Sequence, residues 1–298
     1  MTVTKERVFQ AGLHAAFGII VILCLMPFVL LFTTSFSDET TVLIEGYSFV
    51  PSQWSLDAYR FLWQDAERIA RAYGVTIVVT IVGTFLGLAV SALLSYPLAR
   101  REMPLRKALA FFVFFTLLFN GGLVPTYLVY THIFEMKNTL LALIIPGLLT
   151  NGFFVLIMRT FFMNSIPVPI IESASIDGAG EFKIFFTIVL PLSLPILATI
   201  GLMQTIGYWN DWFNGLIYIT ESKLFSLQNL LNRILLNAQF IQNNAASMNV
   251  TDVNTSTKIP METVRMAMAV IGVVPLLCAY PFFQKYFVKG LVIGAVKG

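Results

Sequence analysis

172-ESASIDGAGEFKIFFTIVLP-191 is a polar turn set between two long apolar runs. It opens on Glu172 with two serines close behind, passes Gly178 and Gly180, and closes on an apolar run ending in Pro191. The local signals describe a short helix, a turn and a second helix. Pro167 and Pro169 stop the preceding run and pre-set the backbone for a new helical start. Glu172 falls near that start, where the helix dipole favours an acid. Gly178 stands where a left-handed cap ends a helix, and Gly180 is a second loosening point. The run 181-EFKIFFTIVL-190 then feeds the next apolar segment, with Pro191 marking its start. Ser173, Ala174, Ser175 and Ala179 leave a small-residue surface that another protein can approach closely. An ordinary helical loop carries the same local signals, so the stretch has to be placed in the whole chain.

Outward from this turn the chain is apolar. Of 298 residues, 57% are hydrophobic and only 12% charged, with 27 phenylalanines. A soluble domain carries roughly a quarter charged residues, so the composition is that of a membrane protein. The mean hydropathy of +0.79 agrees. A net charge of +3 is too small to point to nucleic acid. Cys24 and Cys278 lie in apolar runs without metal-ligand spacing and read as small core residues.

A bilayer core needs about 20 mostly apolar residues per helix. Six runs qualify, at about 11–32, 73–98, 107–130, 140–160, 192–213 and 264–284. The first follows Lys5 and Arg7 but is too long for a signal peptide and lacks a small-residue cleavage site, so it reads as retained. The expectation is a single all-α membrane domain over residues 1–298, with both termini on one side. Placing them inside puts 11 of the 19 Lys and Arg residues on the shorter, inner pieces. The short 100-RREMPLRK-107 hairpin is the strongest vote for this N-in, C-in arrangement. The 161–191 loop is then cytoplasmic, and the long loops 33–72 and 214–263 lie outside. The second of these holds the Asn-rich stretch 237-NAQFIQNNAASMNVTDVNTSTK-258, expected to be solvated and partly mobile.

With the loop in the cytoplasm, its spacing becomes specific. The stretch resembles the "EAA" loop of ABC-importer permeases: E-A-A, three residues, Gly, nine residues, then I-x-L-P. Here Glu172, Ser173, Ala174, Gly178, Ile188, Leu190 and Pro191 fill those places, Ser173 being a small-for-small departure, and the Asp177-Gly178-Ala179 triplet is also typical. The resemblance implies a type I importer permease fold in which this loop is a coupling helix docked on a separate ATPase. Glu172 and Ala174 then lie on the docking helix, and Gly178 aims it. Nearly the whole chain is similar to carbohydrate-uptake permeases of the maltose-importer class. The stretches 260-PMETVRMA-267 and 281-PFFQKYFVKG-290 resemble its complex-oligosaccharide branch. The implied partners are a second homologous permease subunit, an ATPase dimer, an extracytoplasmic solute-binding protein, an oligosaccharide and the bilayer. The last outer loop is implied to touch the binding protein.

The chain has no phosphate-binding G-x-x-x-x-G-K-[ST] motif, and its tail 290-GLVIGAVKG-298 has the wrong spacing. His14 and His132 stand alone, so no catalytic set is expected. ATP and magnesium belong to the implied partner. For the cargo path the candidates are Trp209, Asn210, Asp211 and Trp212 of 208-YWNDW-212, with Gln204 and Asn120 as weaker ones. Aromatic rings stack on sugar faces and amides or acids bond hydroxyls. An interfacial aromatic belt accounts for the same tryptophans, though less well for Asp211, and Gln204 and Asn120 can equally bond a neighbouring helix. Gly83 and Gly87 form a G-x-x-x-G, read as close helix packing inside the chain or against the partner. Pro125, Pro146, Pro195 and Pro275 are expected to kink spans. Three other readings stay open: an importer permease for a peptide, phosphate or polyamine; a stand-alone channel or secondary transporter; and an assembly protein. The spans hold almost no ionisable side chains, which weighs against the channel or secondary transporter.

Overall fold

The computed structural model describes residues 3–245 and 261–295. Among the described residues the regular structure is all helical, joined by turns and irregular segments, with one isolated bridge between Ser37 and Trp54. Three helices are long and apolar enough to cross a membrane alone: Phe9–Ser35 within α1 (Val3–Ser35), α4 (Ala66–Ala99), and Met261–Pro281 within α15 (Met261–Ala295). Between α1 and α4 lie the short α2 (Glu39–Glu45) and α3 (Asp57–Trp63).

The other expected spans are broken. α5 (Arg106–Leu118) meets the segment Leu123–Ile133 at 117°. That segment is α6 (Leu123–Leu128) continued by a π turn. α8 (Gly152–Ser165) meets α9 (Val168–Ile176) at 79°, and Glu181–Leu192 meets α12 (Leu194–Trp209) at 80°. The continuous helices expected over 107–130 and 140–160 are therefore each two pieces. The first breaks at Asn120-Gly121-Gly122, where Gly122 has φ +85°. The second divides into α7 (Leu141–Ile144) and α8 around Pro146 and Gly147, the glycine at φ +73°. A proline without an N–H beside a glycine in the left-handed region cannot continue a helix. Pro125 instead sits in the first turn of α6, where its missing donor costs nothing. Cys24 and Cys278, expected in the core, are both exposed on helix surfaces. Exposed apolar positions of a membrane helix are an ordinary place for a small apolar residue, since lipid is its solvent.

The chain divides into two compact units. One comprises residues 1–67 and 231–275. Here the segment between α1 and α4 is folded. Phe36 stacks on Tyr59 with ring centroids 4.8 Å apart, and the Tyr59 hydroxyl meets Ser35 Oγ at 2.9 Å. Asp38 caps α2 by accepting from Thr41 N at 3.1 Å, and the Thr40 hydroxyl bonded to it holds its carboxyl below the usual range. Glu39 reaches the start of α15, accepting from the Glu262 and Thr263 amides at 2.9 Å each and from Thr263 Oγ1 at 2.8 Å. Those amides are orphan donors of a first helical turn, so an acid there serves both as bond and as dipole complement. Tyr47 donates to Glu262 at 2.8 Å, and that carboxylate pushes the phenol up. The 260-PMETVRMA-267 stretch is thus a packed helix start, with Met261, Val264 and Ala267 buried. Of the Asn-rich stretch, 237–245 belong to α14 (Leu227–Ala245) and the rest lies outside the described residues.

The other unit holds residues 68–230 and 276–298. Its centre is α4, which buries a stripe of small residues: Thr76, Thr80, Gly83, Gly87, Ser91 and Ser95. Spacings of three and four keep them on one face. A Cβ on Gly83 would lie 2.4 Å from Tyr208 Cζ, and one on Gly87 would lie 2.7 Å from Gln204 Nε2. The G-x-x-x-G therefore packs within the chain, against α12. Ser95 Oγ donates to Val155 O of α8 at 2.9 Å. At the far end of α4, Arg106 Nε and Arg159 Nε donate to the same carbonyl, Leu98 O, at 3.0 and 3.1 Å. A helix C-terminus leaves its last carbonyls unpaired, and arginines there satisfy both bond and dipole.

Candidate coupling loop and substrate path

α8 starts on Asn151, whose side chain accepts from Phe153 N at 2.9 Å, and stops at Ser165. Ile166 and Pro167 are extended, as a residue before proline and a proline tend to be. α9 follows with Pro167 as its cap and Pro169 in its first turn. Glu172 is the fifth residue of α9, further from its start than the sequence suggested, and is exposed. Only Ile171 is buried, so the helix is held by one narrow edge. Ala174 and Ala179 pack on the core formed by Tyr96, Met158, Phe162, Ile184, Phe185 and their neighbours. Ser173 Oγ donates to Pro169 O at 2.7 Å and Ser175 Oγ to Ile171 O at 3.0 Å. Both hydroxyls are thus satisfied inside the helix, leaving a surface of small bumps rather than free donors.

The end of α9 is built by backbone bonds. Asp177 is the cap; Gly178 N donates to Ser175 O at 3.1 Å and Ala179 N to Ala174 O at 3.0 Å. This pair is a Schellman motif, and it requires the left-handed conformation that Gly178 adopts at φ +79°. A Cβ there would meet nothing within 4 Å, so glycine is required by its dihedral and not by crowding. After Gly180 the chain forms α10 (Glu181–Ile184), a π turn over Phe185–Val189 and α11 (Leu190–Leu192), then bends at Ser193 into α12. The expected single helix over 181–190 is thus helix and π turn, and the span starts at Leu194 rather than at Pro191. Two prolines four apart, Pro191 and Pro195, each remove a backbone donor at that bend. Ile188 and Leu190 pack on the same core as Ala174. The signature residues therefore divide: Glu172, Ser173 and Asp177 are exposed, whereas Ala174, Ile188 and Leu190 anchor the loop to the bundle.

One partner of the loop gave no signal in the sequence. Glu181 accepts from the Tyr96 hydroxyl and from Arg100 Nη2 at 3.2 Å, both at the end of α4.

The cargo candidates are dispersed. Trp209 ends α12 and is buried, its ring 6.3 Å from Tyr73. Asn210 is exposed and donates to Ile206 O at 3.0 Å. Asp211, in the turn beyond α12, lies one residue before the cap residue Trp212 of α13 (Phe213–Tyr218) and accepts from that helix's first two amides, Phe213 N and Asn214 N, at 3.1 Å each. Burial pushes its carboxyl up, against the pull of those amides. Trp212 is exposed and meets Phe213 edge-on. Gln204 is 3% exposed, pressed against Gly87, with no hydrogen-bond partner for its carboxamide among the described residues. Asn120 is exposed in the α5–α6 break, where its side chain accepts from Gly122 N at 2.9 Å.

Comparison with known proteins gives this geometry a family. A solved chain described as a bacterial ABC transporter involved in the import of the acidic polysaccharide alginate superposes with a TM-score of 0.76 at 26% identity. That match covers 96% of this chain and 99% of the other. The polygalacturonan/rhamnogalacturonan transport system permease protein YtcP of Bacillus subtilis (strain 168) is 36% identical over 294 residues, covering 99% of this chain and 100% of that protein. Protein LplC of the same organism is 35% identical over 292 residues, covering 98% and 96%. The family described as binding-protein-dependent transport system inner membrane component matches residues 14–293. A family match over almost the whole length, on a helical fold shared with a solved importer, has one consequence: the chain belongs to the inner-membrane permease components of binding-protein-dependent ABC transport systems.

Proposed function

We propose that this chain is one of two homologous permease subunits of an ATP-driven importer that moves an oligosaccharide from an extracytoplasmic binding protein into the cytoplasm. Six spans, three straight and three bent, carry it with both termini inside. α9 is the coupling helix, docked on a partner ATPase dimer that holds ATP and magnesium. The observation that carries the reading is the loop itself: the signature spacing folds as a short, exposed helix ended by a fixed left-handed turn at Gly178. A rigid element on a defined pivot is what mechanical coupling to a two-state bundle requires. The relatives, one described for polygalacturonan and rhamnogalacturonan transport and another for alginate import, support a saccharide as cargo. Trp209, Asn210, Asp211, Trp212, Gln204 and Asn120 remain the candidates for its path.

The test is retention of the ATPase by the solubilised chain, co-expressed with its partner subunits, for wild type, Gly178→Asp and Glu172→Ala. The wild type retains a stoichiometric ATPase, and the variants lose it or its transport-linked hydrolysis. An ATPase that neither binds nor responds to either variant overturns the reading and reopens the stand-alone transporter. Uptake of neutral and uronate oligosaccharides by the complete complex then assigns the cargo, and uptake of a peptide or phosphate instead refutes the saccharide.

A further inference from the structure

The first residue of α10 makes a contact that the coupling signature does not contain. Glu181 stands three residues past the left-handed Gly178 and accepts from the Tyr96 hydroxyl and Arg100 Nη2. Arg100 also faces Glu102 at 3.6 Å. The two sides of the cluster differ in freedom. Tyr96 is buried, with its ring 5.1 Å from Phe185, and the Arg100 side chain is 18% exposed against 51% for Glu181. An acid from the loop thus closes onto a fixed platform at the end of α4.

The position of this contact matters more than its strength. Along the chain, a displacement of α9 reaches α12 through the π turn at Phe185–Val189 and the 80° bend at Ser193, beside the apolar core that Ile171 shares with Ile196 and Ile200. A bend of that size can absorb movement by flexing. Glu181 offers a second attachment upstream of both, directly onto α4. α4 is also the helix that packs Gly83 and Gly87 against α12. Coupling runs through elements that have discrete packed arrangements, and a rigid bypass around a flexible bend is such an element.

We propose that Tyr96, Arg100 and Glu181 form a positioning latch that carries displacement of α9 directly to α4, so that α4 and α12 move together. This rests on α9 being the ATPase-coupling helix. The latch does not make the docking surface; it determines how much of the ATPase stroke reaches the spans.

The experiment uses the complete complex in proteoliposomes with binding protein and cargo, comparing wild type with Glu181→Gln, Tyr96→Phe, the double variant and Glu181→Asp. Glu181→Gln and Tyr96→Phe are near-isosteric, Glu181→Asp keeps the charge on a shorter side chain, and Tyr96→Phe keeps the ring against Phe185. Three quantities are read: ATPase retention, ATP hydrolysis and uptake. Single variants retain the ATPase stoichiometrically, but uptake per ATP hydrolysed falls at least about fivefold, the lower range of a typical coupling. The double variant is no worse than the poorer single, because both remove one contact. Glu181→Asp recovers part of the ratio. An unchanged ratio in both single variants overturns the latch, as does loss of the ATPase in step with uptake, which would make these residues supports of the docking surface. Failure of the wild type to retain an ATPase is a different result: it refutes the coupling helix and the latch with it.

Discussion

Gly83→Ala and Gly87→Ala make the same chemical change one helical turn apart, and the structure predicts a larger loss at Gly83. At Gly83 the added methyl would lie 2.4, 2.6 and 2.7 Å from three ring atoms of Tyr208. Carbon atoms rest at about 3.5–4.0 Å, so the ring must retreat by about 1 Å. It has little room, being 2% exposed and tied through its hydroxyl to Ile144 O at 3.0 Å. Overpacking of this kind costs about 1–3 kcal/mol, and disturbing the hydroxyl bond adds about 1. The better helix propensity of alanine returns up to about 1 kcal/mol. Net destabilisation is therefore about 1–3 kcal/mol. At Gly87 the obstacle is the far end of Gln204, whose carboxamide has no bond to break among the described residues and can swing aside. Gly87→Ala should stay within about 1 kcal/mol of wild type. Reversible unfolding in mixed micelles measures both. Adding Tyr208→Leu to Gly83→Ala should cost less than the two changes summed, since the methyl and the ring compete for one space. Equal stability of Gly83→Ala and wild type, or a larger loss at Gly87, refutes the packing of α4 on α12 described above.

Two further outcomes are expected. Glu39→Ala removes the carboxylate that two amides and a hydroxyl at the start of α15 donate to, and should cost about 1–2 kcal/mol in the same unfolding measurement. Glu39→Gln, which keeps an acceptor oxygen, should cost less. Asp211→Ala removes the side-chain acceptor of the first two amides of α13 and should cost about 1 kcal/mol, whereas Asp211→Asn should keep most of that stability and normal uptake. Abolished uptake in a stable Asp211→Asn variant would make the acid a cargo contact instead of an acceptor for those amides alone.

The sequence carried the fold class and the loop because both rest on local chemistry. Apolar run length needs no tertiary information, and neither does a glycine placed to end a helix three residues after a small-residue face. Gly178 could be assigned its left-handed turn for that reason, and Pro167 its place at the start of α9. The breaks were only half visible. Asn120-Gly121-Gly122 and Pro146-Gly147 are strong interruptions, yet hydropathy averages over them and returns one span where there are two helices. Glu181, Tyr96 and Arg100 were out of reach, because their meeting depends on how α4 and α10 pack across 81 residues of chain. The same holds for Gly83, where a small residue signals close approach but not the tyrosine that approaches.

The carbonyl of Leu98 accepts from arginines on two other helices, one at the start of α5 and one inside α8. These same side chains are counted when cytoplasmic charge is used to orient the chain. On the proposed orientation, one pair of residues serves two stages of the protein's life: insertion, when their charge matters, and folding, when the direction of an N–H matters. A lysine meets the first demand and not the second, because the donor in each case is the guanidinium Nε. Arginine-to-lysine exchange at 106 and 159 should therefore give a chain that threads the membrane correctly and then fails to lock the end of α4. Experiments that score insertion alone will report such a chain as normal.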